Sequence, residues 1–241
     1  MPEFGEIEVQ LQALGYARLH AADTLKCLGP PSADQWRTFA SSWNELGPDL
    51  YMADGGRYRR RRHATFRVTN GLAERKPHQP HFQSRDYNPL NGDVQRWFEP
   101  VSDAVETSLI TQTIFRFGLM FACLSGRPPS WPWHVELHQF RIEATADAEG
   151  RPTPEGLHRD GVDWVFVMLV DRRNVTDGVT EIGSQDGRQL GRFTLAAPGD
   201  AVFLDDRRIF HGVTPIAAID SALPAYRDAL VVTFAAEPEG R

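Results

Sequence analysis

The stretch Trp164-Val165-Phe166-Val167-Met168-Leu169-Val170 decides the fold, because seven apolar residues between Asp163 and Asp171 are typical of a buried strand. Short strand patterns lie on both sides of it, separated by Gly, Pro, Asn and Asp turns. The predicted strands are residues 137–144, 156–160, 164–170, 179–182, 191–195, 200–204, 209–213 and 227–235. Eight such strands predict a mainly β fold of the jelly-roll type, and linkers too short for crossover helices disfavour a parallel sheet.

The chain before residue 131 mixes helical and strand patterns. Residues 8–14 and a segment capped by Ser32 are predicted helices, and residues 16–19 are a predicted strand. Residues 93–124 are predicted as a helix in two pieces, hinged near Pro100. We expect one domain over residues 1–241, with a supporting region at 1–130 and a jelly-roll core at 131–241 that carries the site.

Composition narrows the possible functions. The formal net charge of -6 and the pI near 5.8 argue against a nucleic-acid binder that depends on overall charge. Two cysteines are too few for a disulfide framework or a thiolate zinc site. The N-terminal residues lack a signal-peptide pattern, and no apolar run reaches spanning length. We expect a soluble cytoplasmic protein with a small-molecule substrate, with no membrane partner, in which a homo-oligomer stays possible.

Three residues suggest a metal centre. His158 and Asp160 are two residues apart on a predicted short strand, so their side chains share a face, and a rolled sheet can bring His211 beside them. Two imidazoles and one carboxylate form the ligand set of non-haem Fe(II) oxygenases. Arg227 opens the last strand and can pair with the far carboxylate of a metal-chelating dicarboxylate. The alternatives are a turn capped by Asp160, a hydrogen-bonded core His211, and an Arg227 at a strand start that pairs with Asp228 or a neighbour.

Substrate contacts are predicted from the strand pattern. In the run Arg57-Tyr58-Arg59-Arg60-Arg61-Arg62, alternate arginines face opposite sides, so some can enter a site; the alternative is a charged sheet edge. Arg141 is a candidate for a substrate carboxylate or for a structural ion pair, and Trp164 lies on one of two faces that can line the pocket. His78 and His81 are interpreted as surface residues, and the segment 205–208 as an exposed charged turn.

Longer motifs add a family resemblance. They are GLHRDGVD (156–163), PGDAVFLDDRR (198–208), FHGVTPI (210–216), YRRRR (58–62), YNPLNG (87–92) and RWFEP (96–100). Together they resemble the Fe(II)/2-oxoglutarate dioxygenase family that contains bacterial L-isoleucine 4-hydroxylase and related free L-amino-acid hydroxylases. The resemblance implies a cupin-like double-stranded β-helix, an iron triad of His158, Asp160 and His211, and Arg227 as the partner of 2-oxoglutarate.

The same resemblance implies an activity. A small free L-amino acid is hydroxylated or sulfoxidised with O2, and 2-oxoglutarate becomes succinate and CO2. Because Asp160 is a carboxylate, hydroxylation is favoured over the halogenation of related enzymes, which requires a small residue at that position. Two alternatives stay open: a cupin-like metalloenzyme that does not use 2-oxoglutarate, and a non-catalytic jelly-roll sensor or binding protein in a stress or biofilm pathway.

Overall fold

The computed structural model describes residues 4–238. Its helices are α1 (Phe4–Leu14), α2 (Ala21–Cys27), α3 (Ala33–Ser41), α4 (Asp103–Glu106) and α5 (Leu109–Ala122), with 3-10 turns at Ser42–Glu45 and Cys123–Ser125. Its strands are β1 (Tyr16–Leu19), β2 (Arg59–Thr69), β3 (Leu72–Arg75), β4 (Trp133–Ala144), β5 (Trp164–Arg173), β6 (Val179–Ser184), β7 (Gln189–Thr194), β8 (Ala201–Asp205), β9 (Ile209–Val213) and β10 (Ala225–Ala236).

The strands form two antiparallel sheets. The larger has the order β1-β8-β5-β10-β4-β2-β3 and the smaller the order β7-β6-β9. The last strand, β10, therefore lies at the centre of the large sheet, paired with β4 on one side and β5 on the other. The predicted mainly β architecture with flanking helices is confirmed, and strands β1 to β3 of the supporting region belong to the same large sheet.

The two faces of the large sheet have different partners. On β10, Leu230, Val232 and Phe234 are fully buried in the main apolar core, which also contains residues of α5. The helix approaches so closely that a Cβ on Gly118 would overlap the ring of Phe234, so only glycine fits there. Residues of β10 with the opposite parity, such as Arg227, point into a cavity instead. The alternation of β10 thus separates core from cavity.

The arginine run is part of β2, and it is not a free edge. The strand pairs with β4 on one side, while backbone groups of Gly47 and Asp49 bond to Arg61 and Arg59 on the other. The charged-edge alternative is therefore wrong. Arg59 and Arg61 are buried at 6% and 3% exposure and line the cavity, whereas Arg60 lies on the other face.

Two predicted elements differ from the structure. In the stretch 93–124 only α4 and α5 are helical; the residues before Asp103 are irregular, Asp93 has a positive φ of 61°, and Trp97 is 51% exposed. Residues 156–160 form no strand, and a single antiparallel bridge joins His158 to His211. Among residues 4–238, no helix is long and apolar enough to cross a membrane.

Candidate metal and cosubstrate site

His158, Asp160 and His211 converge although they come from different parts of the chain. His158 and His211 exchange both backbone hydrogen bonds of their bridge at 2.9 Å. The Nε2 atom of His158 lies 3.7 Å from Asp160 Oδ1, and Nε2 of His211 lies 3.4 Å from Asp160 Oδ2. Such separations leave room for one ion bound by all three side chains, which we call the metal triad.

Asp206 holds the backbone of the triad loop. Its buried carboxylate accepts the N–H groups of Asp160, Gly161 and Val162 at 2.8 to 3.1 Å. Gly161 has a φ of +81°, which a side chain rarely adopts, and its position against the Tyr87 ring leaves no space for a Cβ. Asp206 is therefore a buried anchor of the metal loop, and the predicted exposed turn at 205–208 is wrong at this residue.

Gln83 fixes the side chain of Asp160. Its Nε2 donates to Asp160 Oδ1 at 3.1 Å, and its Oε1 accepts from Arg96 at 3.0 Å and from Asn88 at 3.2 Å. Because an amide has one donating and one accepting end, the acceptor Asp160 and the donors Arg96 and Asn88 set the orientation of Gln83. The carboxylate of Asp160 is consequently oriented by a chain of bonds that leads back to a buried guanidinium.

The electrostatics of the triad favour cation binding. Burial opposes protonation of His158, but the hydrogen bond to Asp160 and its charge raise the pKa of His158 to about 9. Although burial acts in the other direction, the two histidines hold the pKa of Asp160 well below its ordinary value. The carboxylate is thus ionised, and positive charge at the ring of His158 is stabilised. A divalent ion would take the place of that positive charge.

The tautomer of His158 also fits a metal. Its Nδ1 lies 3.1 Å from the carbonyl oxygen of Gly156, which can only accept, so Nδ1 carries the proton. Nε2 points towards Asp160, and a metal that displaces its proton would bind the lone pair there. This arrangement, in which the second ring nitrogen donates to a backbone oxygen, is usual for metal-binding histidines. The donor set is the one that suits Fe(II).

Arg227 has the chemistry expected for a cosubstrate anchor. It is 3% exposed and lines the same cavity as the triad, and its Nε and Nη2 atoms have no hydrogen-bond partner among residues 4–238. Burial, followed by the charge of Arg172, lowers its pKa to about 10. The alternative of a pair with Asp228 is not realised, because Asp228 binds Arg141. A buried guanidinium without an anion is stabilised by a carboxylate ligand.

The cavity extends from the triad to a second polar cluster. It measures about 410 Å³, within the roughly 300–1,000 Å³ typical of small-molecule sites. A second group of ligand atoms, which lie within 4.8 Å of one another, belongs to His63, His81, Glu136 and His138, which we call the histidine–glutamate cluster. All of these residues except His63 line the cavity. Glu136 accepts from His81 Nδ1 at 2.8 Å and from His138 Nε2 at 3.1 Å. His81 is 7% exposed, so its interpretation as a surface residue is wrong.

The two predicted substrate contacts lie away from this cavity. Arg141 forms two 2.7 Å hydrogen bonds to Asp228, as in the structural ion-pair alternative. Trp164 is 3% exposed and stacks on Phe203 in the apolar core. Neither is among the residues that line the cavity. The geometry gives no support to a substrate role for either of them.

Sequence reasoning missed several residues that line the cavity: Arg96, Glu136, His138, Gln83 and Glu155. A signal was present for two of them, because residues 134, 136 and 138 alternate as His, Glu and His just where the predicted strand begins, although that prediction started only at residue 137. The others lie in irregular segments, where no periodicity indicates which way a side chain points. Only the folded chain brings them together.

Comparisons with known proteins agree with this site. L-Isoleucine-4-hydroxylase of Bacillus thuringiensis is 29% identical over 155 residues, which cover 64% of each chain. 3(1)-Hydroxy-L-isoleucine 4-dioxygenase of Pantoea ananatis is 28% identical over 158 residues, which cover 64% of this chain and 63% of that protein. The matched region thus spans somewhat less than two thirds of either curated relative.

A solved structure and a family model extend over more of the chain. The crystal structure of a bsmA homologue from Methylobium petroleophilum PM1 is 38% identical, covers 96% of this chain and 92% of its own, and superimposes with a TM-score of 0.87. This likeness confirms the jelly-roll fold. The family model described as 2OG-Fe dioxygenase matches residues 40–233. The chain therefore belongs to the 2OG-Fe dioxygenase family, whose members use Fe(II), 2-oxoglutarate and O2.

Proposed function

We propose that this protein is an Fe(II)/2-oxoglutarate-dependent dioxygenase that hydroxylates, or sulfoxidises, a small free L-amino acid. The observation that carries the proposal is the presence of the metal triad and the unpaired guanidinium of Arg227 in one cavity. The two curated relatives support the substrate class, because both names describe oxidation of isoleucine or a hydroxyisoleucine.

In this proposal His158, Asp160 and His211 hold Fe(II) on one face and leave the other positions to 2-oxoglutarate and O2. When bound, the iron couples oxidative decarboxylation of 2-oxoglutarate to transfer of one oxygen atom to the substrate. One O2 supplies one oxygen to succinate and one to the product, and CO2 leaves. Arg227 binds the carboxylate of 2-oxoglutarate that is remote from the metal, so that the cosubstrate has one orientation.

The other residues position these groups and exclude water. Asp206 fixes the loop of Asp160, and Gln83 orients the Asp160 carboxylate. Val167, Val231 and Ala229 contribute apolar wall on the floor of the cavity, formed by β5 and β10. A dry cavity strengthens each charged contact within it. The whole chain is expected to act as one domain, since strands from residues 16–75 complete the sheet that carries Arg227. A cytoplasmic location and a homo-oligomer stay predictions.

The test is a screen of the twenty L-amino acids with Fe(II), 2-oxoglutarate and O2. We expect at least one amino acid to gain a single oxygen atom with equal formation of succinate. A matched reaction without 2-oxoglutarate serves as the control. Product formation without succinate would favour a metalloenzyme that does not use 2-oxoglutarate. Binding of the amino acid without turnover would favour the non-catalytic sensor.

A further inference from the structure

Five charged side chains line the cavity without a role in holding iron or 2-oxoglutarate. Arg59 pairs with Asp49 and Glu136 is bonded by histidines, but the other three each retain an unpaired atom. They are Arg61, Arg96 and Glu155. Arg61 is 3% exposed, Arg96 is 2% exposed, and the side chain of Glu155 is 9% exposed. Within the described part of the chain, Arg61 Nε, Arg96 Nε and Glu155 Oε2 have no hydrogen-bond partner. Buried polar atoms are nearly always paired, so unpaired charged groups of both signs in one cavity indicate a ligand.

Both guanidinium groups are held rigidly by their remaining contacts. Arg61 Nη2 donates to His138 Nδ1 at 2.8 Å, and its guanidinium carbon lies 3.8 Å from the ring centre of Phe98 and 4.5 Å from that of Phe140. Arg96 Nη2 donates to Gln83 at 3.0 Å. Burial and then the charge of nearby Arg59 lower the pKa of both Arg61 and Arg96. Asp49 lies 2.7 Å from Arg59 and 3.9 Å from Arg61, and with Glu136 it opposes these shifts. Three arginines against these two carboxylates leave an excess of positive charge, which favours an anion.

Glu155 supplies the opposite charge. Its Oε1 lies 3.6 Å from His158 Nδ1, but that ring nitrogen already donates to the carbonyl of Gly156 at 3.1 Å. Glu136 differs, because histidine nitrogens contact both of its oxygens, His134 at Oε1 and His81 at Oε2. Of these two cavity carboxylates, Glu155 is thus the one that retains an unpaired oxygen for a cationic donor.

A second metal ion at the histidine–glutamate cluster is a competing explanation of the polar lining, and the charges oppose it. Arg61 can only donate, so its bond to His138 Nδ1 makes that atom an acceptor and puts the proton on Nε2. A protonated Nε2 cannot bind a metal, and it donates to Glu136 instead. A divalent ion would also lie beside the buried positive charge of Arg61.

We propose that Arg61, Arg96 and Glu155 bind the α-amino-acid group of the substrate, with its carboxylate at the two arginines and its ammonium at Glu155. A zwitterion carries both charges on neighbouring atoms and satisfies the unpaired groups of both signs at once. All three side chains line one cavity of about 410 Å³, a volume that suits a small molecule carrying both charges. The proposal rests on the proposed function and assigns how its substrate is recognised.

The experiment uses holoprotein loaded anaerobically with Fe(II) and 2-oxoglutarate. The twenty L-amino acids are titrated by calorimetry, and the tightest binder is compared with its des-amino acid and with its amine that lacks the carboxylate. We expect each analogue to bind at least about 30-fold more weakly, as for removal of one partner of a buried charge pair. A des-amino acid that binds as tightly as the amino acid would overturn the role of Glu155.

Variants assign each charge to its residue. Glu155→Gln should weaken binding of the amino acid at least about 30-fold but leave binding of the des-amino acid unchanged. Arg61→Met should weaken binding of the amino acid but leave binding of the amine without a carboxylate unchanged. Such crossed non-additivity is not produced by general destabilisation. Glu155→Asp and Arg61→Lys serve if the first variants fold poorly. The controls are Glu149→Gln, an exposed residue, and Arg60→Met, on the opposite face of β2.

The remaining outcomes separate this proposal from the proposed function. Each variant is first tested for the absorbance change that 2-oxoglutarate produces on binding to the Fe(II) protein. If Glu155→Gln loses that change, Glu155 positions His158 and the assignment to substrate is wrong. If the unaltered protein shows the change but binds no free amino acid, the zwitterion site is also wrong. If the unaltered protein shows no change, the proposed function itself fails.

Discussion

The metal triad and, apart from His63, the histidine–glutamate cluster line the same cavity and use similar residue types. They differ in the hydrogen-bond partner of the second ring nitrogen. At the triad, His158 donates its Nδ1 proton to the carbonyl of Gly156, so Nε2 is free for a metal. At the cluster, Arg61 donates to Nδ1 of His138, so the proton lies on Nε2, the nitrogen that contacts Glu136. The comparison teaches that spacing of ligand atoms is not enough to define a metal site, because the partner of the second ring nitrogen decides which tautomer is present.

The largest expected effect distinguishes the two carboxylates at the centres of these clusters. Asp160→Asn removes an anionic ligand, so we expect Fe(II) binding to be lost and succinate formation to fall by more than about 100-fold, beyond the usual effect of an outer partner. The matched variant Glu136→Gln should retain one iron per chain. Metal analysis after anaerobic loading and a succinate assay measure both. If Glu136→Gln loses its iron to the same extent, the distinction between the clusters is wrong.

Arg227 tests whether the unpaired guanidinium that shares the cavity with the triad binds 2-oxoglutarate. In Arg227→Met the carboxylate of 2-oxoglutarate loses its buried partner, so we expect its dissociation constant to rise at least about 30-fold while Fe(II) affinity is unchanged. Titration of the Fe(II) protein with 2-oxoglutarate measures this. Arg173→Met, at an exposed position of β5, is the control. An unchanged 2-oxoglutarate affinity would exclude Arg227 as the anchor.

Gln83 tests the connection between Asp160 and Arg96. Gln83→Leu removes the amide that orients Asp160 and that Arg96 holds in place, so we expect Fe(II) affinity to fall about 10- to 100-fold. The exposed Gln12→Leu should leave that affinity as it is. Competition with a metal-binding dye gives the dissociation constant. Equal affinities of the two variants would show that Asp160 is positioned without Gln83.

The smallest expected effect concerns the pH dependence of stability at the histidine–glutamate cluster. Burial, although opposed by Glu136, lowers the pKa of His81 from 6.5 to about 4. Between these pH values the unfolded chain binds a proton that the folded chain does not, so the free energy of unfolding falls as the pH falls from about 6.5 to about 4. Urea unfolding at pH 7 and pH 5 measures the loss.

His81→Gln should make this loss smaller, because the variant has no imidazole to protonate at that position. The exposed His78→Gln is the matched control, three residues away on the same loop, and should leave the pH dependence as it is. An equal loss of stability in His81→Gln and the unaltered protein would show that other groups cause the acid sensitivity. Such a result would remove His81 from the account of the cluster.

The sequence by itself predicted the mainly β fold, the three residues of the metal triad and Arg227 as the candidate cosubstrate anchor. Arg227 and Leu230 are assigned to opposite faces of the strand 227–235, because successive side chains of a strand point to alternate faces. His158, Asp160 and His211 were recognisable because their residue types and motif fit a known ligand set. These features depend on local periodicity or on short motifs, and both can be recognised from the sequence alone.

Only the tertiary structure decided the rest of the cavity. Gln83, Arg96 and Glu155 lie in irregular segments, and their direction depends on long-range contacts that no local period encodes. Arg141 has the same residue type as Arg61 but faces away from the cavity, where Asp228 neutralises it. Whether a charged side chain is a structural ion pair or a ligand contact is determined by the partner that folding brings to it, and that partner is distant in sequence.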